Sequence, residues 1–341
     1  MDLQKITEVV KNAKYFSGII QIVEKGEIKL NVAAGYAKRE DELYNNLDTA
    51  FGIASGTKGF TALGVLRLVD QGKLSLEDQV FEKLPYEFPN MDKGITVRQL
   101  LSHTSGIYDY FDEEVVEDFG QLFEKVPVHK ILGPKDMLPL LVEGEAYFKP
   151  GEKFKYCNSG FVILGMLIDV VSGMDYADYI QKEVCEPLGL TRTGCYKSNQ
   201  LPKNSAYGYI QDDKGKWYSN IFEIPIVCTA DGGIFTTADD LAKMWKSILS
   251  DNFISKGLLA EVFSVQADID GDWCENLHYG LGFFIQHNKE GNVTNYYLVG
   301  GDPGVSFSSN YNVDEDRIVT ILGNTSECAD TLLEEISTYL D

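Results

Sequence analysis

Ser55 and Lys58 are the residues whose type and spacing could do chemistry. They stand three apart in Ser55-Gly56-Thr57-Lys58, where an apolar run with helical spacing begins. Residues i and i+3 share one face of a helix, so the Lys58 side chain can reach the Ser55 hydroxyl. A serine hydroxyl is a weak nucleophile until a neighbour takes its proton. A lysine can do this where burial or a nearby cation lowers its pKa. The pair points to a serine hydrolase that uses no histidine base. Taken alone, it also fits a plain helix start, because serine is a common N-cap.

Two further segments belong with it. Tyr156-Cys157-Asn158 stands just before a strongly apolar run. A phenol at Tyr156 can give or take a proton, or relay one to Lys58. Asn158 offers both donors and an acceptor, enough to hold Lys58 and to orient a substrate amide. Val299-Gly300-Gly301-Asp302-Pro303-Gly304 ends a strand-like segment. Its glycines permit close approach of backbone to a substrate. A backbone N–H there, with that of Ser55, would make an oxyanion hole.

The elements that must position these residues follow from periodicity. Residues 2–13 predict an amphipathic helix, with Leu3, Ile6, Val9 and Val10 on one side. Gly18–Val23 and Ile28–Val32 predict two strands joined by a turn at Glu24-Lys25-Gly26-Glu27. The helix after Ser55 runs through Leu63, Leu66 and Val69 to a cap at Gly72. Residues 75–210 read as mostly helical with long loops. They include a short helix at Val97–Leu101, a buried helix at Phe161–Val171 and another at Tyr176–Val184. Further helices are expected at 238–249 and Thr331–Leu340, and strands at Val293–Val299 and Ile318–Leu322. Strands, then helices, then strands predict an α/β protein of the α+β type. Its antiparallel sheet comes from both chain ends and is flanked by helices. The expected division is 1–74 with 211–341 as the sheet domain and 75–210 as an inserted helical domain, with the active site between them.

Composition narrows the function classes. The chain has 341 residues, 44% of them hydrophobic and 24% charged, in the range of a globular protein. Its formal charge of −22 opposes binding to nucleic acid or an anionic membrane surface. The N-terminus lacks a basic stretch followed by an apolar one, so a cytoplasmic location is expected. The six cysteines form no Cys-x-x-Cys and read as reduced core thiols. The four histidines lack zinc-ligand spacing, and no cofactor or metal is expected. The expected partner is a small-molecule or short-peptide substrate.

Five stretches carry a family resemblance: Phe51–Lys58, Thr96–Gly106, Pro150–Asn158, Asp231–Leu241 and Tyr279–Phe283. In order and spacing, the chain resembles the serine β-lactamase and penicillin-binding-protein superfamily over nearly its whole length. It looks most like the branch with class C β-lactamases, DD-carboxypeptidases and related esterases. The resemblance implies a β-lactamase/transpeptidase-like fold with Ser55 as the acylated nucleophile. It implies that Lys58 and Tyr156 share the proton transfers and that Asn158 positions the substrate. The N–H groups of Ser55 and Gly301 would form the oxyanion hole, with Gly300 beside them. There is one departure. The third motif in this family usually opens with Lys or His, and here that place falls on Leu298, or on Val299 if the register shifts by one. By that motif position Leu298 is counted with Asn158, Gly300 and Gly301 among the expected substrate-binding residues, and its lack of charge disfavours substrates bearing a carboxylate against esters and neutral amides.

The expected function is therefore an acyl-enzyme hydrolase of an ester, a D-amino-acid amide or peptide, or a β-lactam. The alternative is a non-catalytic binding or regulatory protein that keeps the fold, since fold alone does not fix function. His103 lies between Ser102 and Ser105, but sequence adjacency does not make a Ser–His pair. Specificity is expected from loops near 107–150 and 191–230, with Tyr108, Tyr110 and Phe111 as candidates to line the cleft.

Overall fold

The computed structural model describes residues 1–112, 122–250, 253–269 and 276–340. Helix α1 spans Leu3–Asn12, and the Asp2 carboxylate accepts from the N–H groups of Gln4 and Lys5 at its start. Such a cap satisfies donors that a helix end leaves open. Strands β1 (Gly18–Glu24) and β2 (Glu27–Ala34) pair as a hairpin. Its turn residues Lys25 and Gly26 have φ of 52° and 78°. Positive φ at both positions is what a two-residue hairpin turn of this twist requires.

Six later strands complete the sheet: β3 (Ala267–Asp268), β4 (Leu277–Tyr279), β5 (Phe284–His287), β6 (Val293–Asp302), β7 (Val305–Asn312) and β8 (Arg317–Gly323). Among the described residues the sheet has eight strands in the order β2-β1-β8-β7-β6-β5-β4-β3, with antiparallel neighbours throughout. β8 pairs with β1 from Gly18↔Gly323 to Glu24↔Arg317, so strands from the two chain ends lie side by side, one strand in from the β2 edge. This is the α+β arrangement that the sequence predicts. In β7, Val305 and Phe307 alternate with serines until Ser309 interrupts the apolar pattern, and Ser306, Ser308 and Ser309 are all buried. Two of these serines have partners: Ser309 Oγ accepts from Trp245 Nε1 at 2.9 Å, and Ser306 Oγ accepts from Ala329 N at 3.0 Å.

Five more helices matter for the site: α2 (Thr57–Asp70), α3 (Val97–Leu101), α4 (Asn158–Ser172), α5 (Ala238–Leu249) and α6 (Cys328–Ser337). α3 opens with a reciprocal capping box between Thr96 and Gln99. One expectation needs correction: the last helix starts at Cys328, ahead of Thr331. The helix expected over Tyr176–Val184 is present, as an α-helix at Tyr176–Ile180 that passes into a π-helix at Gln181–Cys185.

α1 and α6 cover one sheet face, burying Ile6, Val10, Leu332 and Ile336 against Ile20, Ile22, Val319 and Ile321. The opposite face belongs to a larger core built on α2, α4 and α5. That core runs unbroken from Ile19 and Leu322 of the sheet to Leu100, Phe161 and Tyr179 of the 75–210 region. α2 is buried on nearly every side, as a helix that is apolar all round must be.

Candidate active site

Ser55 lies in a 3-10 turn, Ala54–Gly56, immediately before α2. The expected helical spacing therefore arises from a turn feeding a helix, and it still brings the two side chains together: Lys58 Nζ is 2.9 Å from Ser55 Oγ. Ala54 holds φ of 44°, a left-handed conformation that costs an L-residue about 1 kcal/mol. The strain turns the chain so that Ser55 faces the cleft at the start of α2.

Lys58 is 2% exposed. Its Nζ also lies 2.8 Å from Asn158 Oδ1 and 2.9 Å from the carbonyl oxygen of Asp231. An ammonium can donate to all three oxygens. A neutral amine can donate to Asn158 and Asp231 and turn its lone pair to the Ser55 hydroxyl. The geometry thus accommodates the lysine before and after it gives up a proton.

Asn158 is held by its other end. Its Nδ2 donates to Asp109 Oδ2 at 3.1 Å and to the carbonyl of Phe111 at 3.0 Å. These bonds fix the amide so that Oδ1 points at Lys58. Asp109 Oδ1 in turn accepts from Ser159 N at 2.9 Å. Burial raises the Asp109 carboxyl to about 7, against the lowering by those N–H groups.

Tyr156 precedes α4 in extended chain, with its ring centroid 4.9 Å from Lys58 Nζ. The same ring packs at a tilt on His103, with centroids 4.4 Å apart. His103 Nδ1 accepts from Cys157 N at 3.1 Å, and the ring is buried. Burial, reinforced by nearby Lys58, holds its pKa well below the usual value, so it is neutral. It supports Tyr156 and forms no Ser–His pair. Burial likewise pushes the Cys157 thiol well up, away from a reactive thiolate.

The third segment closes the site from the sheet. A Cβ on Gly300 would run into the carbonyl of Ile53 and stand 2.7 Å from Ser55 N. Only glycine allows β6 to lie this close to the nucleophile's turn. Gly301 has open space where its Cβ would be. Leu298 calls for a correction. Expected to bind substrate, it is 3% exposed, packs against Gly59 of α2 and does not line the cleft. Alternation along the strand turns it to the α2 side together with Gly300.

The cleft, open to solvent, spans about 480 Å³. Ser55, Asn158, Gly301, Asp302, Asp231 and Ile224 are in its lining, whereas Lys58, Tyr156 and Gly300 are not. Tyr110 and Phe111 line it too, but Tyr108 packs toward Gly144 and Tyr147. Sequence reasoning gave no role to Asp109 or Asp231. The only signal for Asp231 was its place in a family-like stretch, and Asp109 carried none.

A family model described as Beta-lactamase matches residues 4–330. Penicillin-binding protein 4* of Bacillus subtilis (strain 168) is 32% identical over 339 residues, covering 95% of this chain and 72% of that protein. The crystal structure of a penicillin binding protein from Bacillus halodurans superposes with a TM-score of 0.92 at 31% identity, over 98% of this chain and 99% of that one. An octameric penicillin-binding protein homologue from Pyrococcus abyssi gives 0.87 at 29% identity, over 100% of this chain and 77% of that one. The chain therefore belongs to the Beta-lactamase family, the serine hydrolases of β-lactamase and penicillin-binding-protein type.

Proposed function

We propose that this protein is an acyl-enzyme serine hydrolase with Ser55 as its nucleophile. The observation that carries the reading is Lys58 Nζ, held between Ser55 Oγ, Asn158 Oδ1 and the Asp231 carbonyl. Ser55 Oγ attacks the substrate carbonyl carbon while its proton passes to the Lys58–Tyr156 pair. The oxyanion is received by the N–H groups of Ser55 and Gly301. The tetrahedral intermediate collapses, the bond to the leaving group breaks, and that group takes the proton. Water then attacks the acyl-serine ester by the same proton route, releasing the acid and restoring Ser55. Asn158 orients Lys58 and reaches a substrate amide.

The substrates are small esters, or amides and short peptides, without a carboxylate beside the reacting carbonyl. Leu298 supports this restriction, because it puts a buried apolar side chain where the family pattern carries a cation. The test is an intact-mass time course with p-nitrophenyl acetate and with a simple penicillin, on wild type and Ser55→Ala. Ester turnover that vanishes in Ser55→Ala is expected, with a weaker reaction toward the penicillin. Equal turnover by the variant would refute the mechanism. Preference for the penicillin would refute the substrate restriction.

A further inference from the structure

We propose that the three consecutive residues Asp109-Tyr110-Phe111 frame Lys58 from two sides, and that Tyr110, acting through the carboxylate of Asp231, is a positioning residue for the reaction. This rests on the hydrolase reading above and adds to it the residues that hold its lysine in place.

Lys58 Nζ lies against Asn158 Oδ1 at 2.8 Å and the Asp231 carbonyl at 2.9 Å. Asp109 and Phe111 fix the Asn158 amide. Tyr110, between them in the chain, reaches the residue that supplies the other acceptor: its hydroxyl donates to Asp231 Oδ2 at 2.6 Å. The Thr229 hydroxyl donates to Asp231 Oδ1 at 2.7 Å, so both oxygens of that carboxylate are gripped. Carboxylate and carbonyl belong to one residue, and fixing the first restricts the second. Tyr110 is itself anchored beside Asn158, because its N–H donates to Ser159 Oγ of α4 at 2.9 Å. One tripeptide thus organises two acceptors of the lysine that come from distant parts of the chain.

The segment that carries Asp231 is strained and needs such fastening. Ala230 holds φ of 78° and Gly233 holds 103°. A non-glycine residue keeps a left-handed conformation only where its surroundings over-determine it. The Ala230 carbonyl accepts from Thr61 Oγ1 at 2.6 Å, three residues past Lys58 on α2. Thr229 N donates to the Gly232 carbonyl at 3.1 Å and closes the turn. Two successive carbonyls therefore meet one helix, Ala230 at Thr61 and Asp231 at Lys58. The grip of Tyr110 and Thr229 fastens the second of them.

The chemistry of the grip suits this role. Tyr110, Thr229 and Asp231 are all buried. A buried carboxylate is costly unless it is hydrogen-bonded, and an O–H donated to a carboxylate is among the stronger hydrogen bonds. Burial first, then the Asp231 charge, hold the Tyr110 phenol well above its ordinary value, so it stays protonated and remains a donor.

The test is a double-mutant cycle on hydrolysis of p-nitrophenyl acetate, with Ser55→Ala as the blank. Tyr110→Phe removes one oxygen and should lower kcat about tenfold, the order expected of a hydrogen bond to a charged group, with KM changed by less than about twofold. Asp231→Ala should lower kcat at least as far. Adding Tyr110→Phe to Asp231→Ala should cost less than about twofold more, because the phenol acts through that carboxylate. Asp231→Asn should recover much of what Asp231→Ala loses, since either hydroxyl can turn and accept from its NH2 group. A kcat for Tyr110→Phe within about twofold of wild type would overturn the inference, and that variant decides alone if Asp231→Ala fails to fold. Additive losses in the cycle would overturn it too, as would a loss confined to KM, which would make Tyr110 a substrate contact. Absence of Ser55-dependent turnover in the wild type would overturn the hydrolase reading, and this inference with it.

Discussion

Asp109 sets the orientation of Asn158, and Asp109→Asn tests that link without changing side-chain size. In the native site both Asp109 oxygens accept, Oδ1 from Ser159 N at 2.9 Å and Oδ2 from Asn158 Nδ2 at 3.1 Å. An asparagine keeps one acceptor and brings an NH2 group in place of the other. Whichever way it turns, a donor faces a donor in a place that is 3% exposed. An unmet buried donor costs about 1–3 kcal/mol. Asn158 could relieve the clash by flipping, but its NH2 would then face Lys58 Nζ and its oxygen the Phe111 carbonyl, reversing the bonds at 2.8 and 3.0 Å. The perturbation therefore travels to Lys58. Urea unfolding of Asp109→Asn should show a loss of about 1–3 kcal/mol. Ester kcat should fall about tenfold or more, with KM changed less, since the damage is to proton transfer and positioning. A variant with wild-type stability and kcat would refute the reasoning that Asp109 holds Asn158 in register.

Two further outcomes are expected. The folded Asp109 carboxyl titrates near 7 and its ordinary value is 3.8, so between those values the native state holds a proton that the unfolded chain has lost. Its contribution to stability is then full below about pH 4 and is lost as pH rises through about 7. The stability difference between wild type and Asp109→Asn, followed by urea unfolding from pH 4 to 8, should shrink along that window; a difference that grows with pH would contradict the shift. Gly300→Ala should cost at least about a hundredfold in kcat, the scale of losing an oxyanion donor, because its Cβ meets the Ile53 carbonyl and Ser55 N. Gly301→Ala, with open space at its Cβ, should fold with an unchanged melting temperature, and equal damage from both would refute the close-approach argument.

What the sequence determined by itself was local. Ser55 and Lys58 are brought together by their own spacing, through a turn and the first turn of α2, so their contact needs no distant partner. The β1–β2 hairpin and helices α1, α3 and α5 were legible for the same reason. Caps, turn residues and apolar periodicity act within a few residues. The ordered family-like stretches added the fold and the candidate roles of Tyr156, Asn158 and Gly301.

Only the tertiary structure decided the rest. The Asp231 carbonyl on Lys58 and the Asp109 carboxylate on Asn158 come from segments 173 and 49 residues away, and no local pattern encodes such pairings. β7 was hidden because Ser306, Ser308 and Ser309 take buried places in it, Ser306 and Ser309 with hydrogen-bond partners in place of apolar contacts. Leu298 looked like a substrate contact in the sequence, but packing turned it inward against Gly59. The chain's periodicity fixes which residues share a face. Closure of the sheet onto α2 fixes which face meets the cleft.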